Sequence, residues 1–330
     1  MTEALDQADR DICAALLRNG RASWRLIAQA TGLQERTVSR RATRLFEQDL
    51  VRVTAFAHPL LVGRGDAFLA RLVCRPDQLV RVARWLAHRP ETLWVSTLMS
   101  QSAVLAECFI RSEDRAAFIE HELPGLDVLD YSFSPLHHYR RTVRGWQPGI
   151  LDETQLAVLG EDETSALIAS EGEPGELDQI DRDILDLLTH DGRLSIDAIS
   201  SDLGLAKATV RRRIQIMQRS DRVSIRAVLD PALLGFAHEI YLRARVPISR
   251  LDELAELIAA DARSRWVAES TADGTVRAML AFRDRGEVPG AIAELAARFG
   301  GDGLTVETEH LLTMYKRSDV VLPPALPAPE

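Results

Sequence analysis

The 330 residues are 46% hydrophobic and carry a formal net charge of −9. That is enough apolar material for two or three folded domains and excludes a disordered chain. The acidic balance excludes a surface coated with positive charge, so a nucleic-acid partner would have to meet a local basic face.

Residues 1–62 predict three helices and a strand. Ile12, Leu16 and Leu17 make one apolar face after Asp6, which suits a helix N-cap, and Gly20 stands where a left-handed C′ glycine would end that helix. Ser23 is the expected cap of a second helix with Leu26, Ile27 and Ala30 inward. Thr31-Gly32-Leu33 reads as a tight turn, and a third helix follows over 34–48, burying Val38, Ala42, Leu45 and Phe46. The alternation over 51–56 reads as a strand.

Residues 63–141 predict a mixed unit. Strands are expected at 67–74, 92–97, 103–110 and 128–139, with helices at 76–87 and 115–123. That order is the split βαβ, or ferredoxin-like, arrangement. Residues 142–176 read as a flexible acidic linker, within which 151–159 has the pattern of a short helix.

At Leu177 the first unit starts again. Leu5-Asp6-Gln7-Ala8-Asp9-Arg10-Asp11-Ile12 returns as Leu177-Asp178-Gln179-Ile180-Asp181-Arg182-Asp183-Ile184. At a constant offset of 172, 24 of the 59 positions from 5 to 63 are identical, against roughly one in sixteen for unrelated sequences. Residues 177–234 are therefore a second helical unit. Residues 235–317 are a second mixed unit, with strands at 239–246, 265–270, 275–282 and 304–314 and helices at 251–260 and 289–299. The proline-rich tail, 318–330, is expected to be disordered. The fold class is α+β: two helix-turn-helix units, winged-helix-like, each followed by a ferredoxin-like βαββαβ domain.

The chemistry sits on the third helix of each helical unit. In copy one Arg36, Arg40 and Arg44 share a face, with Gln34, Thr37, Ser39 and Arg41 beside them. Copy two offers Lys207, Thr209, Arg211, Arg212 and Arg213. A helix fits the major groove, its first side chains reaching base edges and later arginines binding phosphates. The bland alternative is a solvated basic face. The duplication, the glycine turn and the scarcity of acids on that face, only Glu35 and Glu47 in copy one, weigh against it.

The pattern Leu-Asp-x-x-Asp-x-x-Ile, Asn/Asp-Gly-Arg-x-Ser, Gly-Leu, Thr-Val-x-x-Arg resembles the leucine-responsive regulatory protein (Lrp)/AsnC family of bacterial transcription regulators, and it occurs twice. The resemblance implies double-stranded DNA as partner and a cytoplasmic, nucleoid-associated protein. It also implies effector domains that pair through their sheets, so that a tandem chain contains its own pseudo-dimer and can build higher homo-oligomers. The chain departs from the family at Gln34 and Ala206, where a serine N-cap is usual, a change costing up to ~1 kcal/mol. Asp49 and Asp221 replace the usual glycine after the third helix.

The resemblance further implies a small-molecule effector, an amino acid being the usual choice, held near the loop between the second and third strands of the mixed unit. The matching positions are Ser96, Thr97 and Ser102 in copy one and Ser270, Thr271, Asp273 and Gly274 in copy two. Hydroxyls and amides could grip a carboxylate and Asp273 an ammonium group. An ordinary polar hairpin loop is the alternative. Copy one has no acid there.

Two rival functions are a ligand-sensing module without DNA binding and an enzyme like the sirohaem decarboxylases, which use a similar scaffold. The enzyme predicts a less basic third helix and a His-Asn-Tyr-like stretch where this chain has Trp94-Val95-Ser96 and Trp266-Val267-Ala268. There is no nucleophile–base–acid spacing, P-loop or dinucleotide fingerprint, so a non-enzyme is expected. No cofactor or metal is expected. The cysteines lack C-x-x-C spacing, and His137 and His138, adjacent on a strand, point to opposite faces. Trp94 and Trp266 hold equivalent positions and suggest a shared packing role. No apolar run reaches membrane-spanning length, and Met1-Thr2-Glu3 is too acidic for a signal peptide, so no membrane partner is expected.

Overall fold

The computed structural model describes residues 5–160 and 177–323. Residues 161–176 of the acidic linker and 324–330 of the proline-rich tail lie outside these residues. The chain divides into two compact units that do not follow chain order. Both helical copies form one, Met1–Gly63 with Arg144–Ala237, and both mixed copies form the other, Arg64–Val143 with His238–Glu330.

In the first unit, copy one folds as α1 (Gln7–Arg18), α2 (Trp24–Thr31), α3 (Glu35–Glu47) and β1 (Val51–Ala57). Asp6 caps α1 by accepting the Asp9 N–H at 2.9 Å, and Ser23 caps α2 by accepting the Leu26 N–H at 3.1 Å. Copy two repeats this as α6 (Gln179–His190), α7 (Ile196–Leu203), α8 (Lys207–Arg219) and β7 (Val223–Leu229). Ile184, Leu188, Ile199, Val210, Ile214 and Met217 form its core, and Ala55 of β1 joins them. Each such aliphatic side chain contributes about 1.5–3 kcal/mol on burial. The strand of one copy thus helps close the core of the other.

Strands β1 and β7 pair antiparallel, with Thr54 opposite Arg226. These two are counterparts in the duplication, so a local two-fold axis passes between them. The exchange is reciprocal: Arg21 donates to the carbonyls of Gly192 and Leu194 at 2.7 and 3.0 Å, and Arg193 donates to those of Gly20 and Ala22 at 2.6 and 2.9 Å. The expectation for Gly20 is corrected here, because its φ is not positive and Asn19 is the C-cap of α1. Glycine is required instead by close approach: a Cβ would lie 3.0 Å from Arg226 Cα at Gly20, and 2.9 Å from Thr54 N at Gly192. Asp49 and Asp221 do take the left-handed turn, at φ 53° and 55°.

The short helix expected in the linker is α5 (Glu153–Val158), closed by an Asp152/Gln155 capping box. It is tied to copy one, where Asn19 donates to the Leu159 carbonyl and Arg18 to that of Gly160, both at 3.2 Å.

The second unit holds β2 (Asp66–Cys74), α4 (Leu79–Ala87), β3 (Thr92–Leu98), β4 (Ala103–Ile110), β5 (Val128–Pro135) and β6 (His138–Arg141) from copy one. Copy two supplies β8 (His238–Arg245), α9 (Leu251–Ala260), β9 (Ser264–Ser270), β10 (Thr275–Phe282), α10 (Glu287–Phe299), β11 (Thr305–Arg317) and β12 (Val320–Val321). The strand order β5-β2-β4-β3 in one copy and β11-β8-β10-β9 in the other is the ferredoxin-like order twice over. The helix expected at 115–123 is a π-helical turn, Ala117–Glu122, running into a 3₁₀ turn, Leu123–Leu126. Pro124 has no N–H to continue a helix.

The last strand of each copy joins the other copy. The strand expected at 128–139 breaks at Leu136 and His137, whose N–H groups bond to Ala67 and to Glu269 respectively, each at 2.9 Å. There the chain passes from β2 of its own copy to β9 of the other. β11 does the same without a break, pairing β8 with its first half and β3 with its second. Thr97 opposes Thr313 and Glu269 opposes His138, equivalent pairs across a local two-fold. On that axis Trp94 and Trp266 pack edge to face with centroids 5.9 Å apart.

Candidate nucleic-acid interface

The turn between α2 and α3 is set by Gly32 at φ 71°, and the one between α7 and α8 by Gly204 at φ 64°. Val38, Ala42 and Leu45 bury one face of α3; Val210, Ile214 and Met217 bury one face of α8. The opposite faces are thereby forced into solvent. Gln34, Arg36, Arg40 and Arg44 are exposed on α3, with Thr37 and Ser39 half-buried; Lys207, Arg211 and Arg212 are exposed on α8, with Thr209 half-buried. Neither Gln34 nor Ala206 makes a side-chain cap, so the first N–H groups of both helices carry none.

The structure divides the arginines into two sets. Arg41 Nη1 lies 2.7 Å from Asp6 and 3.0 Å from Asp9, and Arg44 also pairs with Asp9. At the equivalent place Arg213 pairs with Asp178 and, at 3.3 Å, with Asp181. A hydrogen bond from the Asp9 backbone, then Arg41, hold the Asp6 carboxyl below its ordinary range; the Asp181 backbone and Arg213 do the same for Asp178. Arg41 and Arg213, expected on DNA, each clasp the N-terminus of the first helix to the third. Arg44 shares that duty in copy one, and exposed Ile216 stands at its position in copy two. Arg36, Arg40, Arg211 and Arg212 have no ion-pair partner among the described residues, while Lys207 meets Asp197 at 2.8 Å on the surface.

Sequence reasoning missed Arg21 and Arg193, which hold the two helical copies together. Their signal was present in the duplicated Asn/Asp-Gly-Arg, but it reads as a turn until the other copy is seen beside it. It also missed exposed Arg25 on α2, whose counterpart Asp197 gives copy two an acid there.

The proposed effector positions separate as well. Ser96 and Thr97 lie buried within β3, their hydroxyls on the Thr313 carbonyl at 3.1 and 3.4 Å, so they belong to the seam between copies and not to an open loop. Ser102 is half-buried beside residues tied to β11: Ser100 and Gln101 both bond to Glu309. In copy two Thr271, Asp273 and Gly274 line an open cleft of about 490 Å³ with Arg245, Ile248 and Asp302, while Ser270 is buried at its base strand. Asp273 is not free for an ammonium group, since Arg277 holds it at 2.7 Å and Arg243 at 3.2 Å. Burial alone would raise this carboxyl, but the Thr275 hydroxyl and the arginines outweigh it and keep it below its usual range. His137, from copy one, meets the Thr271 hydroxyl at 3.0 Å and closes one side of the loop.

A family model for the AsnC-type helix-turn-helix domain matches residues 5–45 and 177–218. The HTH-type transcriptional regulator FL11 of Pyrococcus horikoshii is 31% identical over 98 residues, 29% of this chain and 65% of its own length. The proline dehydrogenase transcriptional activator of Rhizobium radiobacter is 29% identical over 103 residues, 31% of this chain and 66% of that protein. The chain thus spans about two thirds of the length of these relatives. Among solved structures, the siroheme decarboxylase NirDL covers 94% of this chain and 93% of its own at 13% identity with a TM-score of 0.59, a likeness of fold alone. No helix among the described residues is long and apolar enough to cross a membrane.

Proposed function

We propose that this tandem Lrp/AsnC-type chain, with two AsnC-type helix-turn-helix domains, is a sequence-specific DNA-binding transcriptional regulator. The observation that carries the reading is the set of exposed guanidiniums with no ion-pair partner among the described residues, Arg36 and Arg40 on α3 and Arg211 and Arg212 on α8, borne by helices that a local two-fold relates through β1 and β7. Duplex DNA has the same local symmetry, so two such helices can address successive major-groove segments. In this reading Gln34 and the start of α8 meet base edges and the arginines meet phosphates. The single chain then does the work of a dimer in the cytoplasm, at the nucleoid, and association into larger homo-oligomers stays open to sizing by light scattering.

The test is an anisotropy titration on genomic fragments across a salt series. With about four phosphates neutralised, log affinity should fall with log salt at a slope of about −4. Binding to no fragment, or binding indifferent to salt, overturns the reading. Effector control is proposed at the cleft of Thr271, Asp273 and Gly274. Because Asp273 is already neutralised, exposed Arg245 makes an anionic group the better fit there, and calorimetry with amino acids against the matching amines reads that preference.

We read the chain as a non-enzyme. The rival is a decarboxylase of the sirohaem type. Against it stands the packing of Trp94 against Trp266 at the second strands, where the rival expects histidine. Carbon dioxide release from sirohaem by the purified chain would decide for the enzyme.

A further inference from the structure

We propose that the second ferredoxin-like domain binds a small apolar carboxylate in a cavity between α9, α10 and the sheet. The cavity measures about 380 Å³. Its floor is Ile240, Leu242, Leu280 and Phe282, and its walls include Leu257 of α9 and Leu295 of α10. At roughly 30 Å³ per non-hydrogen atom, the share of a molecule in liquid water, it holds a ligand of about a dozen such atoms.

The first ferredoxin-like domain shows that the scaffold does not demand this space. Register equates Phe133, opposite Ala70, with Thr308, opposite Leu242. The aligned helices equate Trp85 with Leu257. In copy one Trp85, Phe118 and Phe133 stack in series, at centroid distances of 5.9 and 6.1 Å, and Arg89 covers Trp85 at 4.9 Å. In copy two leucine, threonine and the small residues of α10 stand in their place, and Thr308 is exposed at the opening. One frame is thus plugged by aromatic rings in one copy and left open in the other. A largely apolar pocket with a few polar groups at its edge suits an apolar ligand carrying one polar head.

The rim supplies the head-group preference. Arg263 lies over the Phe282 ring, 5.4 Å from its centroid; Asp261 holds its Nη2 at 2.6 Å and its Nε at 2.9 Å, and the same Nη2 also reaches Glu294 at 3.2 Å, a carboxylate that is itself well exposed. Arg298 also lines the rim but is paired with Glu253 at 2.8 Å, which leaves Arg263 as the head-group partner. A ligand carboxylate can replace Glu294 on Arg263 while its chain fills the cavity, gaining a charge-assisted pair at the edge of a low-dielectric space. The site is separate from the Thr271–Gly274 cleft and owes nothing to DNA binding.

The experiment titrates the full chain by calorimetry with octanoate and with 1-octanol, comparing wild type, Thr308→Phe, Leu257→Trp and Arg263→Gln. Two plugs from different elements guard against one of them disturbing the fold, which thermal melts monitor. Octanoate should bind wild type at one site. Either plug that keeps its melting temperature should weaken octanoate at least tenfold, and Arg263→Gln should weaken octanoate roughly tenfold while leaving octanol unchanged. No octanoate binding to wild type, or equal binding to folded plugged variants, overturns the site. Equal loss of octanoate and octanol in Arg263→Gln overturns the head-group assignment.

Discussion

Two arginines side by side on α3 have opposite fates. Arg40 faces solvent, whereas Arg41 is spent on Asp6 and Asp9. Arg41→Ala leaves nearly buried Asp9 with Arg44 alone, so it should destabilise the helical unit by about 1–3 kcal/mol. Arg36→Ala with Arg40→Ala should leave the melting temperature in place and reduce both DNA affinity and the salt slope; paired melts and anisotropy titrations separate the two outcomes. His58 offers a pH test. Burial, then Arg144 and Arg226, push its imidazole down to about 4. The unfolded state therefore binds the extra proton first, and stability should fall as pH drops from about 6.5 towards 4. His58→Gln should flatten that part of the stability curve, and chemical denaturation at stepped pH reads it. No change in slope would show that His58 is not the group responsible.

At the scale of elements, the strands do most to join the copies. β1 meets β7 across glycines that leave no room for a side chain. Gly192→Ala would put a methyl group 2.9 Å from the backbone of Thr54 and Val53. It should cost about 1–3 kcal/mol through overpacking. It should also weaken DNA binding beyond what lost stability explains, because the spacing of α3 and α8 depends on this pairing. A variant with unchanged melting and unchanged affinity would refute that dependence. β6 and β11 carry the second exchange, each leaving its own sheet to pair with the other copy.

Across the whole molecule, the duplication has kept the frame and let the surfaces diverge. α3 presents Gln34, Glu35, Arg36 and Ser39 where α8 presents Ala206, Lys207, Ala208 and Arg211. Unlike side chains at equivalent groove positions prefer different bases, so in-vitro selection should recover an asymmetric site with two unlike halves. A perfect palindrome would count against this. The interior has diverged too: buried Glu107 accepts from Tyr139 at 2.7 Å and Trp266 at 3.1 Å, while Met279 holds the equivalent place in copy two. Dimers of identical chains cannot separate their two halves in this way.

Local chemistry was enough for much of this. Apolar spacing, caps such as Asp6 and Ser23, and the offset of 172 gave most helices, most strand limits and the tandem order from sequence alone, because each depends on residues a few positions apart or on direct comparison of two segments. The basic faces of α3 and α8 were legible for the same reason. Tertiary structure decided what depends on partners distant in the chain. It assigned Arg41 and Arg213 to internal carboxylates, Gly20 to a close backbone approach, Ser96 and Thr97 to a buried seam, and Asp273 to two arginines. A charge or hydroxyl in a sequence carries no mark of whether the fold will bring it a partner, and it is that partner which determines whether the group remains available to a ligand.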